Sequence, residues 1–127
     1  MAAPDALGIV ARNMAETLKF YRLLGLDIPA SDDGEPHVDF VTPGGFRLMW
    51  DTEELAKSLT PDWVEPAGHR MGLAFKCENA AEVNTLYEQV VQNGYHGYKA
   101  PWDAFWGQRY AVVTDPNGNH VDLFAAL

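Results

Sequence analysis

A histidine and a carboxylate that could transfer protons stand close together near the end of this 127-residue chain. His120 and Asp122 are separated by one residue, so on a strand both side chains point to the same face of the sheet. Such a pair can take a proton from a bound molecule and return it. The two residues are therefore candidates for metal-free acid–base chemistry, or for simple contact with a ligand.

A second group of side chains is suited to binding rather than to reaction. Trp102, Phe105 and Trp106 fall within six residues, in a segment predicted to be a loop before the next strand. Stacking on an aromatic ring contributes about 0.5–1.5 kcal/mol beyond the burial of area. The segment is expected to stack against a flat ligand; the alternatives are a packed hydrophobic plug and a contact between two chains.

Other chemistries have little support in the sequence. There is no nucleophile elbow, phosphate-binding glycine loop or Cys-x-x-Cys motif. The single cysteine, Cys77, cannot form an internal disulfide and suits a reducing cytoplasm, the expected location. A formal net charge of −9 disfavours nucleic acid and anionic membranes as partners. No apolar run of about 18 residues indicates a membrane span.

The elements that must position these residues occur twice. Shifting the chain by 66 residues, from Asn13 to Asn79, aligns two strand–helix units. Identical pairs are Leu7 with Leu73, Asn13 with Asn79, Ala15 with Ala81, Glu16 with Glu82 and Tyr21 with Tyr87. Both asparagines are good N-caps, and a glutamate follows each three residues later. Gly25 and Gly94 stand where glycines end helices.

Each repeat is predicted to follow the order β-α-β-β-β, with a weak third strand in the first. The later strands are expected around His37–Val41, Phe46–Trp50, Tyr95–Tyr98, Arg109–Thr114 and His120–Phe124. The fold class is therefore α+β: two tandem βαβββ modules form a curled mixed sheet around a cavity, with the helices outside. The single domain, 1–127, divides into modules of about 5–51 and 69–125. A linker, 52–68, holds a short helix at Glu53–Leu59.

Alternation along the strands divides their residues between two faces. The helix-covered face is expected to hold Leu7, Ile9, Ala11, Leu48, Trp50, Leu73, Phe75, Cys77, Val121 and Leu123. The cavity face is expected to hold Ala6, Gly8, Val10, Arg47, Met49, Asp51, Gly72, Ala74, His120, Asp122 and Phe124. The many small residues of the second set favour a cavity, although they could also let two sheets approach closely.

Two segments carry a resemblance to a known family. They are Asn13–Leu26, in the first repeat, and Tyr110–Leu123, around the turn Asp115-Pro-Asn-Gly118. With them the chain resembles the vicinal oxygen chelate superfamily of glyoxalases, dioxygenases and bleomycin-resistance proteins. Residues 46–52, 101–110 and 121–125 are most similar to the mitomycin-binding type of antibiotic-sequestering resistance protein.

The resemblance permits a test for the metal site of the superfamily's enzymes. Their four ligand positions fall at Ala6, Gly72, near Met49 and at Asp122. Only Asp122 offers an oxygen donor, and one carboxylate does not make a site. No metal and no other cofactor is therefore expected. His69 precedes Gly72 by an odd number of residues, which is expected to place it on the opposite face as a strand-start or surface histidine.

By the same resemblance, Trp106 stands where bleomycin-resistance proteins place a stacking tryptophan. His37 and Phe40 lie on the strand that forms the opposite wall, and alternation allows only one of them to face the ligand. The expected ligand-binding set is Trp102, Phe105, Trp106, Tyr110, His37, Phe40, Arg47, Met49, Asp51, His120 and Asp122.

The resemblance implies a function as well. The leading hypothesis is a homodimeric protein without catalytic residues that sequesters a planar aromatic antibiotic for self-resistance. The ligand would be of the mitomycin, quinoline-peptide or anthraquinone-fused enediyne type. The alternatives are a metal-dependent glyoxalase- or dioxygenase-like enzyme, metal-free catalysis by His120 and Asp122, and an interaction module without a small ligand.

Overall fold

A computed structural model describes all residues from Met1 to Leu127 and divides the chain into two compact modules. The first module, Met1–Pro66, contains β1 (Ala6–Ala11), α1 (Met14–Leu23), a 3-10 turn (Ala30–Gly34), β2 (His37–Val41), β3 (Arg47–Thr52) and α2 (Glu53–Leu59). The second module, Ala67–Leu127, contains β4 (Leu73–Lys76), α3 (Ala80–Gln92), β5 (His96–Ala104), β6 (Gln108–Thr114) and β7 (His120–Ala126). The predicted α+β class and the tandem modules are confirmed, and the predicted linker contains the boundary. That the two sheets together curl around a cavity stays a prediction.

The first module is a three-stranded sheet with α1 packed on one face. The strand order is β1-β3-β2, with β1 parallel and β2 antiparallel to β3. Leu48 and Trp50 are fully buried beneath α1, and the Trp50 ring lies 5.4 Å from that of Tyr21. Their neighbours Arg47 and Met49 remain partly exposed on the other face. The predicted alternation along β3 is therefore confirmed.

The second module repeats this arrangement with one more strand. The strand order is β4-β7-β6-β5, and only the β4–β7 pair is parallel. Helix α3 packs on β5, β6 and β7. Val121 and Leu123 are fully buried, whereas Asp122 and Phe124 lie on the uncovered face. We call this uncovered side the open face of each sheet.

Both long helices begin and end with the same local structure. The Asn13 side chain accepts a hydrogen bond from the Glu16 amide at 3.0 Å, and Asn79 does the same for Glu82 at 2.9 Å. After each helix a glycine adopts a positive φ, 106° at Gly25 and 91° at Gly94. The residue after each glycine then closes a 6→1 hydrogen bond back to the helix. The sequence repeat is therefore a structural repeat.

One predicted strand is absent and one has other bounds. The first module has two strands after α1 and not three: a 3-10 turn, Ala30–Gly34, lies between α1 and β2, and β3 ends where Thr52 caps the predicted short helix α2 by accepting the Leu55 amide at 3.2 Å. In the second module β5 continues to Ala104 rather than ending near Tyr98. Proline normally interrupts a strand, but β5 is an edge strand with two register shifts between Gly97 and Trp102, which accommodate Pro101. Trp102 therefore lies on a strand and not in a loop.

None of the helices has the length and apolar composition that crossing a bilayer requires.

Helix α3 approaches β5 closely at one glycine. A Cβ atom added to Gly97 would lie 2.7 Å from Cζ of Tyr87, closer still to its hydroxyl oxygen, and 2.9 Å from a methyl group of Val91. These contacts are shorter than real Cβ atoms make, so any larger residue must displace the Tyr87 and Val91 side chains or the backbone that carries them.

We expect Gly97→Ala to lower the free energy of unfolding by about 1–3 kcal/mol through overpacking. Gly72→Ala is the matched control, because an added Cβ there meets nothing within 4 Å, and it should change stability by less than about 0.5 kcal/mol. Urea unfolding of both variants, and of Gly97→Ala combined with Tyr87→Ala, measures the effect. Equal losses for the two glycine variants would show that the α3–β5 contact is not tight.

Candidate functional site

The open face of the second sheet carries a group of aromatic rings. Cross-strand pairing sets Trp102 beside Tyr110 and Tyr110 beside Phe124, on the three neighbouring strands β5, β6 and β7. The turn between β5 and β6 adds Phe105 and Trp106. We call these five residues the aromatic cluster. Four of its members, Trp102, Phe105, Trp106 and Tyr110, belong to the expected ligand-binding set, and the fifth is Phe124.

Trp102, Phe105, Trp106 and Tyr110 contact one another edge to face. Ring centroids are separated by 5.5 Å for Trp102–Tyr110 and 5.3 Å for Trp106–Tyr110, with the planes at 68° and 79°. Phe105 meets Trp106 at 5.0 Å and 86°. Such geometry is the favoured one for aromatic pairs. The cluster is thus internally packed and not a set of independent side chains.

The Trp106 indole is held in place but remains accessible. Its Nε1–H donates to Oε1 of Gln108 at 2.8 Å, which fixes the plane of the ring. Trp106 is 49% exposed and Phe105 is 98% exposed. A fixed, half-exposed indole on a sheet face can stack against a flat molecule without first being ordered. Sequence reasoning missed Gln108, although its two-residue spacing from Trp106 was a usable signal.

Asp122 is bound to Tyr110 and not to His120. The Tyr110 hydroxyl donates to Oδ2 of Asp122 at 2.5 Å. Burial and this carboxylate raise the pKa of Tyr110 to about 12, so the phenol stays protonated. No hydrogen bond joins His120 to Asp122, and the proton-transfer pair considered from the sequence is not assembled.

His120 instead takes part in a stack of rings at the other end of β7. His69 stacks on it with centroids 3.9 Å apart and planes at 19°, and Tyr98 lies 4.3 Å away. Burial, followed by the neighbouring His69, lowers the pKa of His120. The expectation that His69 lies on the opposite face was wrong. Residue 69 precedes the start of β4 at Leu73, so strand alternation does not govern it.

The open face of the first sheet carries a network of charged residues. Nδ1 of His37 lies 2.5 Å from Asp51 and its Nε2 lies 2.6 Å from Asp39. Arg47 bonds to the other oxygen of Asp39 at 2.5 Å and to Asp5 at 2.8 Å. The two carboxylates, Asp51 first, raise the pKa of His37. Arg47 and Asp51 were expected here, whereas Asp39 was missed although it lies two residues from His37.

Phe40 does not belong to this face. It is paired across the sheet with Leu48, which is buried under α1, while His37 is paired with Asp51. Alternation therefore sends Phe40 to the helix-covered side, and its assignment as a ligand contact was wrong. Met49 lies on the open face, where its sulfur is 3.3 Å from Arg47.

The four positions at which related enzymes bind a metal do not supply a donor set. Ala6 lies on β1, Met49 on β3, Gly72 just before β4 and Asp122 on β7. No group of three or more histidine, cysteine, aspartate or glutamate side chains is arranged to hold a metal ion. The residues present therefore do not fit the superfamily's metal centre.

The His37 network predicts a shifted titration. We expect the His37 imidazole to titrate above 6.5, because its charged form donates to two carboxylates. Its contribution to stability is full below 6.5, as long as Asp39 and Asp51 are ionised, and is lost as the pH rises through the raised pKa. Proton NMR of the ring should show Asp51→Asn moving this pKa down, and the remote control Asp103→Asn leaving it unchanged. A His37 pKa at or below 6.5 in the unmodified protein would contradict the network.

Known proteins resemble this chain in sequence pattern and in fold. The family model described as the Glyoxalase/Bleomycin resistance protein/Dioxygenase superfamily matches residues 3–123. A glyoxalase/bleomycin resistance protein/dioxygenase family enzyme from Burkholderia phytofirmans PsJN is similar, with 21% identity and a TM-score of 0.84 over 97% of this chain and 98% of that one. A glyoxalase-related enzyme from Fulvimarina pelagi has 17% identity and a TM-score of 0.83 over 98% and 88% of the two chains.

A third similar structure is a glyoxalase/bleomycin resistance protein/dioxygenase from Nocardioides. It has 25% identity and a TM-score of 0.75, and it covers all of this chain with 86% of its own. No curated protein matches the sequence. Because the family model spans nearly all of the chain, the protein belongs to the glyoxalase/bleomycin resistance protein/dioxygenase superfamily.

Proposed function

We propose that this protein binds a planar aromatic natural product reversibly and withholds it from its target, as an antibiotic-sequestering member of its superfamily. The observation that carries the proposal is the aromatic cluster on the open face of the second sheet. It presents the faces and edges of large rings next to Asp122, the one oxygen donor among the positions that the resemblance assigns to metal ligands.

The energetics of the cluster are sufficient for binding. Each stacked ring contributes about 0.5–1.5 kcal/mol beyond area burial. A drug-sized ligand that buries most of its surface reaches micromolar affinity or better when its site is already ordered. The edge-to-face contacts and the Gln108 hydrogen bond provide that order before the ligand arrives.

The reactive side chains are arranged for stability and not for turnover. Asp122 accepts from a Tyr110 phenol whose pKa is raised to about 12, which suits neither a general acid nor a general base at neutral pH. Cys77 is buried, and desolvation raises its pKa to about 11, so its thiol is not a nucleophile. These features support a binding protein over an enzyme.

The resemblance to mitomycin-binding resistance proteins narrows the ligand to flat polycyclic compounds. Mitomycins, quinoline-bearing peptides and anthraquinone-fused enediynes are the classes we propose. The polar open face of the first sheet, with His37, Arg47 and Asp51, is proposed as a contact surface for ligand substituents. A cytoplasmic homodimer is proposed on the same grounds.

Titration with planar aromatics tests this function. We expect mitomycin C, echinomycin or an anthraquinone to quench tryptophan fluorescence with a dissociation constant in the micromolar range or below. Trp106→Leu should weaken binding about tenfold, measured by calorimetry because the variant loses a fluorophore. Trp63→Phe is the matched control: Trp63 lies in the first module beside Lys57, outside the cluster, and should change affinity by less than about twofold.

A metal-dependent enzyme is the second candidate, since two of the similar structures are described as enzymes. Elemental analysis of the purified protein separates the two functions. Stoichiometric iron, manganese, nickel or zinc together with no quenching by any planar aromatic would overturn the binding proposal.

A further inference from the structure

A positive charge already sits on one ring of the aromatic cluster. Nζ of Lys99 lies 4.0 Å from the centroid of the Trp102 ring. Indole is the side chain that attracts cations most strongly, through the negative face of its π system. Lys99 is exposed, and its ammonium is carried on a flexible stem. The contact therefore shows that this ring face accommodates a positive charge. Moving the exposed lysine away requires little free energy.

A carboxylate close to the same rings has no cationic partner. Asp122 is partly buried and accepts the Tyr110 hydroxyl, but no lysine or arginine forms a salt bridge with it. Asp103, at the edge of the cluster, differs because it is paired with Arg109 at 3.1 Å. His120 does not bind Asp122 either: its ring is stacked on His69, and burial followed by that neighbour lowers its pKa.

The two features lie on either side of one ring. Tyr110 is 5.5 Å from Trp102 by ring centroid and 2.5 Å from Asp122 through its hydroxyl. A positive charge placed over Trp102 thus meets a π face, and one ring, Tyr110, connects Trp102 to a carboxylate that forms no salt bridge with a lysine or arginine. We propose that the ligand of the aromatic cluster is a planar aromatic compound bearing a protonated amine or quaternary nitrogen, which takes the place of the Lys99 ammonium at Trp102.

This inference rests on the proposed function and names the chemical class of its ligand. A neutral ring that covers Trp102 must displace Lys99 and gives no charge in return. A cationic ligand displaces the same lysine but restores the cation–π contact, together with the attraction to Asp122 that a positive charge at this place has. The cluster should therefore discriminate between two molecules of the same shape by their charge.

Acridine and N-methylacridinium at pH 8 are a suitable pair of probes, because both have the same three fused rings and only the second is charged. Calorimetric titration gives the ratio of their dissociation constants. We expect the unmodified protein to prefer the cation about fivefold. Trp102→Leu and Asp122→Asn should each bring the ratio close to one.

Lys99→Met should raise the affinity for both probes by removing a competitor, and should raise it more for the cation by removing a like charge. Lys57→Met is the matched control. Lys57 lies on α2 in the first module, with its ammonium 5.5 Å from the centroid of the Trp63 ring, and it has the same charge to lose. The control should change the ratio by less than about twofold.

These experiments distinguish a failure of the charge preference from a failure of the proposed sequestration function. Equal affinity for the two probes, with Trp106→Leu still weakening both, would overturn the charge preference and leave aromatic sequestration standing. A ratio that is unchanged by Trp102→Leu and Asp122→Asn would also overturn it. Failure of every planar aromatic, charged or neutral, to bind would overturn both proposals.

Discussion

The coverage of each sheet by a helix on one side only is the constraint on which the rest of the structure depends. A strand alternates its side chains between two faces, and one helix can bury only one of them. Trp50 and Leu48 under α1, and Val121 and Leu123 under α3, supply the apolar area that stabilises each module. The residues that alternate with them on the same strands face away from the helix and do not belong to the core. Their chemistry can then change without loss of the fold.

The two open faces have been used in different ways. The first holds a chain of alternating charges, in which His37 is bound by a carboxylate at each nitrogen. The second holds packed rings with one phenol bound to one carboxylate. Duplicated modules with the same caps and the same helix ends thus carry a polar surface and an aromatic surface. In both cases these polar side chains are hydrogen-bonded within their own module.

Much of the fold could be predicted because it depends on local signals. Asn13, Asn79, Gly25 and Gly94 mark the helix ends through their own backbone chemistry, and strand alternation sorted β3 and β7 correctly. The errors arose where non-local packing decides. Pro101 indicated a loop, but an irregular edge strand tolerated it. Alternation separated Phe40 from His37, but the pairing of β2 with β3 decides which of them faces the helix, and the stack of His69 on His120 joins residues far apart in the chain.

The hydrogen bond from Trp106 to Gln108 limits which features of a ligand the Trp106 side chain can distinguish. Because the indole N–H of Trp106 donates to Gln108, the side chain has no hydrogen-bond donor left for a ligand and offers only its flat π face. Stacking on this face depends on the thickness and area of the ligand's ring system. It does not depend on the positions of oxygen and nitrogen atoms at the edge of that ring system. For the ligand class proposed here, compounds with the same charge and the same flat ring system would therefore stack on Trp106 alike, whatever polar substituents they carry at the rim.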